Sequence, residues 1–207
     1  MISVRLRNSH VWAVALTMLA PMLGSCSECY EPTGCGPPSI AGSWAGRASG
    51  SGAFAAIFAF PDGRVVAYVA DGQQLAEWFK RQPHTGNLMT LTSHFGSRLR
   101  FTMAQQGFSA SWTSAGGSQQ LIFPMLPANA PEGLWFGRQT LTDGVEYRGG
   151  WIIVSGGDQR GAVVFEGSRG IVATPTLNVS NPLVPLSGRG TLAVLFVTPS
   201  YADPTRF

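Results

Sequence analysis

Lysine is almost missing from this chain: Lys80 stands alone in 207 residues, and no run of basic side chains occurs. Nucleic-acid binding leaves such a run or stripe as its electrostatic footprint, so no nucleic-acid partner is expected. Charge of either sign is scarce, at 12% of residues. A freely soluble domain so poor in charge is weakly protected against association; a protein held at a membrane or packed against partners tolerates it more easily. Histidine is nearly as rare. His84 lies in a loop pattern and His94 on the polar face of an expected strand, neither at ligand spacing from another His, Cys or carboxylate, so no metal and no cofactor is expected. Gly-x-Ser-x-Gly, His-Glu-x-x-His and Gly-x-x-x-x-Gly-Lys are all missing. "GRGTLA" at 188–193 fits Gly-x-Gly-x-x-Ala formally, but a strand follows where a helix N-terminus would be needed. Catalytic groups can converge from distant positions, so an enzyme stays open as a class, with no catalytic residue singled out.

Cysteine is confined to Cys26, Cys29 and Cys35, directly after the apolar run Val11 to Leu23. With Arg5 and Arg7 before it, that run has the length of a secretory h-region and is short for a bilayer span. Leu23-Gly24-Ser25-Cys26 resembles the bacterial lipobox, in which the cysteine is acylated and becomes the new N-terminus after cleavage. The alternative is an ordinary secretory signal ending near a structural cysteine. One acyl chain anchors weakly and stable attachment needs more than one, which a diacyl or triacyl cysteine supplies. Residues 1–25 thus read as a lipoprotein signal peptide, Cys26 as the lipidation site and 26–40 as a tether rich in Pro, Gly and Ser. An exported chain meets an oxidising compartment, where Cys29 and Cys35 are expected to pair as a structural disulfide. Without Arg5 and Arg7 the mature chain carries 12 basic against 11 acidic residues and is nearly neutral.

Residues 41–207 read as strand and turn. "AFAAIFAF" places Phe54, Phe58 and Phe60 on one face and Ala53, Ala55 and Ala59 on the other; "PDG" turns the chain and "RVVAYVA" returns. "QQLAEWFKRQ" is the best helical candidate, and a short one. "NLMTLTSHF" and "SRLRFTM" alternate as a half-buried hairpin about Gly96, with Met89, Leu91, Phe95, Leu99, Phe101 and Met103 inward. "FSASWT" and "QQLIF" add a pair, and the proline-rich stretch 124–132 reads as a rigid connection. "GSWAGRAS" at 42–49 is echoed by "GLWFGRQT" at 133–140, and each is followed by an apolar strand, a turn with Asp and Arg ("PDGR", "GDQR") and a second apolar strand. A distant duplication is expected, with half-repeats at about 41–124 and 132–198. The fold class is all-β: an antiparallel barrel or sandwich of about ten strands with a weak internal two-fold repeat and at most one short helix.

The stretches "AFAAIF…RVVAYVADG…AEWF…GLWFGRQ…EYRGGWIIV…DQRGAVV" resemble a group of uncharacterised exported proteins and lipoproteins common in actinobacteria. Their recurring stretches look like "AYVCDG", "GLYRA" and "GGWIVLPDG". The resemblance covers roughly residues 50–165, departs from the pattern at Ala70 and Trp135, and implies β fold and export without an activity.

Tryptophans supply the binding candidates. Trp44, Trp112, Trp135 and Trp151 fall on expected strands. They fit either a packed core or, for Trp44, Trp135 and Trp151, contact with a ligand. Arg98 and Arg100 share a polar face that could meet an anionic partner or simply be solvated. The functional expectation is a membrane-anchored, extracytoplasmic lipoprotein with a non-catalytic binding domain for an envelope component or protein partner. A lipocalin-like carrier of a small apolar ligand is the alternative. A filled or hollow interior separates the two.

Overall fold

The computed structural model describes residues 41–81, 88–104 and 107–198, all within one compact unit, Gly36–Phe207. The signal, the tether, Cys26, Cys29, Cys35 and His84 lie outside the described residues. The described chain is all-β, with fifteen strands where about ten were expected and no helix. The helical candidate is a strand, β4 (Ala76–Arg81), paired antiparallel with β3 (Val65–Ala70) along its whole length.

One turn design is used four times. The amide of Phe60 donates to the Arg64 carbonyl and that of Gly63 to Phe60; Ser93/Ser97/Gly96, Leu141/Val145/Gly144 and Val154/Asp158/Gly157 repeat the pattern. The fourth residue of each turn is a glycine with φ between 75° and 86°. Such a three-residue hairpin loop needs the left-handed conformation there, which other residues adopt only with strain.

These turns build an eight-stranded antiparallel sheet. Its order is β4, β3, β2 (Phe54–Ala59), β1 (Gly42–Arg47), β8 (Gln120–Pro127), β7 (Gly107–Thr113), β6 (Arg98–Ala104) and β5 (Leu88–Thr92). The sheet curls into a nearly closed barrel in which β4 and β5 approach each other without pairing. A five-stranded sheet follows, in the order β12 (Ile171–Ala173), β11 (Gln159–Phe165), β10 (Glu146–Ile153), β9 (Gly133–Thr140) and β15 (Leu195–Phe196). A separate hairpin is formed by β13 (Leu183–Leu186) and β14 (Gly190–Ala193). Part of the stretch expected to connect the halves, Pro124 to Pro127, belongs to β8 instead.

The internal echo extends to hydrogen-bond register. Trp44 stands opposite Pro127 and Ala45 opposite Leu126; in the second half Trp135 stands opposite Phe196 and Phe136 opposite Leu195. Ala128 donates to the Ser43 carbonyl as Val197 does to Leu134. A Cβ at Gly46 would strike the Pro124 carbonyl, and one at Gly137 the Ala193 carbonyl. The equivalent turns are Phe60–Arg64 and Val154–Asp158, so "PDGR" and "GDQR" are offset by two residues and Arg64 corresponds to Asp158.

Alternation along the strands sorts the side chains into three buried layers. Inside the barrel Phe79, Leu91, Leu99, Phe101, Trp112 and Phe123 pack over Ala55, Ala59 and Ala67. The opposite face of β2 and β3 carries Phe54, Phe58, Phe60, Val66 and Tyr68, which pack on Leu134, Phe136, Ile152, Ala162 and Val164 of the second sheet. β2 and β3 are therefore buried on both faces. The third layer, around Trp151, Tyr147 and Val163, lies under the β13–β14 hairpin. Gly150 allows the first two sheets to meet closely, since a Cβ there would stand 2.6 Å from the Trp78 ring and 2.8 Å from Tyr68.

Candidate functional site

Among the described residues the inward side chains of the barrel form one packed cluster, and two cavities are lined at strand ends and turns. The first is a cleft of about 450 Å³ beside the seam that β4 and β5 leave open. Alternation along β4 directs Ala76, Trp78 and Lys80 to the outside of the barrel, and the end of β5 and the turn after it add Thr92 and His94. The opposite wall comes from Arg148 on β10 and from Val164 and Glu166 at the end of β11. Trp78 is fixed there by Tyr68, with ring centroids 4.5 Å apart, and by Phe136, edge-on at 5.1 Å. His94 sits in the turn rather than on the polar face of a strand.

Charge in the cleft is arranged by the second sheet. Arg148 lies directly opposite Arg138 across the β9–β10 ladder, a repulsive placement that two carboxylates relieve. Arg148 donates to Glu166 at 2.6 Å, Arg138 donates to Glu146 at 2.8 Å, and Arg138 Nε lies 4.0 Å from Glu166. Burial pushes the Arg148 guanidinium below its ordinary value, with Glu166 acting the other way, whereas the bond to Glu146 raises Arg138. Arg148 Nε is buried with no hydrogen-bond partner. Buried donors are rarely left so, and an acceptor arriving in the cleft would gain from meeting this one once the Arg148 side chain swings to present it.

A second cavity of about 750 Å³ opens at the end of the barrel on the inner side of β4. Glu77, 7% exposed, reaches into it. Ser97 Oγ donates to Glu77 at 3.0 Å and Trp112 Nε1 at 3.4 Å, so side chains clasp the seam where no backbone ladder does.

The residues expected to form a site are not brought together there. Trp135 and Trp151 are cross-strand partners in the third layer, and their indole N–H groups donate to the carbonyls of Pro131 and Pro175. Both are core residues. Trp44 is half-buried against Phe108, centroids 5.0 Å apart, at the edge of the barrel core. Arg98 and Arg100 are exposed on β6, opposite Thr92 and Thr90 of β5. Sequence reasoning missed Arg148, Glu166 and Glu77. The available signal was a charged residue inside an otherwise apolar strand, in "EYRGGWIIV" and "AEWF".

Among the described residues no group of three His, Cys, Asp or Glu side chains is placed to hold a metal ion. No protein-family model matches the chain, and neither does any curated protein or solved structure.

Proposed function

We propose that the chain is a lipid-anchored, extracytoplasmic binding domain in which a filled barrel serves as scaffold and the cleft at its seam takes an anionic group of an envelope component or partner. The single observation that carries the binding assignment is Arg148. It is a largely buried guanidinium in the cleft wall with a free Nε–H, beside an apolar floor of Trp78 and Val164. A carboxylate or phosphate carrying an apolar group matches both features. The packed interior favours this reading over a lipocalin-like carrier, whose ligand would need the space that Phe101, Trp112 and Phe123 occupy. Export and anchoring rest on the Arg-flanked apolar run and on Leu23-Gly24-Ser25-Cys26, and the resemblance over residues 50–165 agrees with them.

The test is calorimetric titration of the full chain in mild detergent with sodium hexanoate, using hexanol as the neutral control. Saturable binding of hexanoate, lost in Arg148→Gln and partly kept in Arg148→Lys, is the expected result. Equal binding of hexanol, or hexanoate binding indifferent to Arg148, would overturn the assignment.

A further inference from the structure

The seam cleft leaves Glu77 unexplained. This carboxylate is 7% exposed, on the core face of β4 next to Phe79. Its two donors, Ser97 and Trp112, are neutral. Among the described residues no ion pair reaches it. A carboxylate withdrawn from water without a cation is costly, and two neutral hydrogen bonds offset only part of that cost. Each oxygen keeps further acceptor capacity, and the space beside it is the open 750 Å³ cavity.

The rest of the cavity wall indicates what fits. Asp71 adds a second carboxylate, its Oδ1 accepting the amides of Gln73, Gln74 and Leu75 at 2.7–2.8 Å. The arginine on the rim, Arg169, is engaged elsewhere: it lies over the Phe95 ring at 4.7 Å and donates to the Phe95 carbonyl at 2.8 Å. Leu75, Leu121 and the Trp112 indole supply apolar wall. A bare metal ion suits this poorly, because it wants several anionic or carbonyl oxygens at once. An ammonium on a short alkyl chain needs one buried carboxylate, a few neutral acceptors and an apolar surface.

We propose that the mouth of the barrel is a binding site for a small organic cation, an alkylammonium group, with Glu77 as its counter-ion. The site lies on the opposite side of β4 from the seam cleft and prefers the opposite charge, so the two are independent.

The experiment is calorimetric titration of the full chain with hexylammonium chloride at fixed ionic strength, with hexanol and sodium hexanoate as controls. The parent should bind one equivalent of hexylammonium, with hexanol at least about tenfold weaker. Glu77→Gln, which removes the charge while keeping the size and one of the two accepting oxygens, should lose at least about tenfold in affinity. Gln74→Lys, an exposed substitution on the rim, places a competing cation there and should weaken binding with Glu77 intact, which keeps the test decisive if Glu77→Gln fails to fold. Arg148→Gln should leave hexylammonium binding unchanged. No saturable binding by the parent, equal binding of hexanol, or unchanged affinity in both Glu77→Gln and Gln74→Lys would overturn the proposal.

Discussion

Replacing Gly150 by Ala should separate the barrel from the second sheet. The added methyl would stand 2.6 Å from Trp78 Cζ2 and 2.8 Å from Cε1 and Cζ of Tyr68, where ordinary contact begins at 3.4 Å. The rings must therefore retreat by roughly 0.6–0.8 Å. Tyr68 has no room, at 1% exposed, and Trp78, which borders the cleft on one side, is held on the others by Tyr68 and Phe136. The strain passes to the packing between β3–β4 and β9–β10, and overpacking of this kind costs about 1–3 kcal/mol. For a domain of this length, about 2 kcal/mol corresponds to a fall of about 4–8 °C in Tm. Urea unfolding should show a lower midpoint with an unchanged slope. Gly116→Ala is the control, since Gly116 has open space around it and no positive φ, and should change stability by less than about 0.5 kcal/mol. Adding Trp78→Phe should partly restore the Gly150→Ala variant, giving a coupling term in a double-mutant cycle. Gly150→Ala as stable as the parent would refute the close approach of the two sheets.

Trp151→Ala should cost about 3–5 kcal/mol, the range for a fully buried large aromatic, whereas Trp44→Ala should cost only about 1–2 kcal/mol because Trp44 is half-buried; equal losses in chemical unfolding would contradict the assigned burial. The Asp143 carboxyl is held below its ordinary value of 3.8, chiefly by the Tyr147 hydroxyl at 2.6 Å. A depressed folded value means that this stabilisation is complete well above the unfolded value of about 3.9 and lost as pH falls through the folded one. Tyr147→Phe should therefore melt below the parent at about pH 6, by a margin that shrinks at about pH 2.5; a margin independent of pH would refute the linkage. Cys26→Ser should release the chain from the membrane fraction and abolish palmitate labelling, and unchanged labelling would show that Cys26 is not the anchor.

The fold was legible where local chemistry and period agreed. Asp62-Gly63 and the two-sided run from Ala53 to Phe60 specify a hairpin and its two faces, and both faces are buried where they were assigned. The Gly-x-Trp-x-Gly-Arg echo was visible because close backbone approach and positive φ admit little besides glycine at Gly42, Gly46, Gly133 and Gly137. β4 was misread because Leu75, Trp78 and Phe79 also fit helical spacing, and six residues are too few to separate the two periods. The hairpin ladder to β3 decides the matter, and the period of β4 alone does not carry it. That misreading also hid Glu77, which strand alternation places on the core face beside Phe79. Arg148 and Glu166 meet through the pairing of β10 with β11, and their cleft is completed by β4, far away in the chain. No local motif announces such a site.

Chemical-shift mapping with sodium hexanoate on the isotope-labelled full chain separates binding at the seam from binding inside the barrel. Amides around Trp78, Lys80, His94, Arg148 and Glu166 should shift together on titration, while those of the barrel interior, Leu99, Phe101 and Phe123, stay fixed. Shifts centred on the interior residues, with the cleft unmoved, would contradict a filled scaffold that binds at its seam and would return the carrier reading.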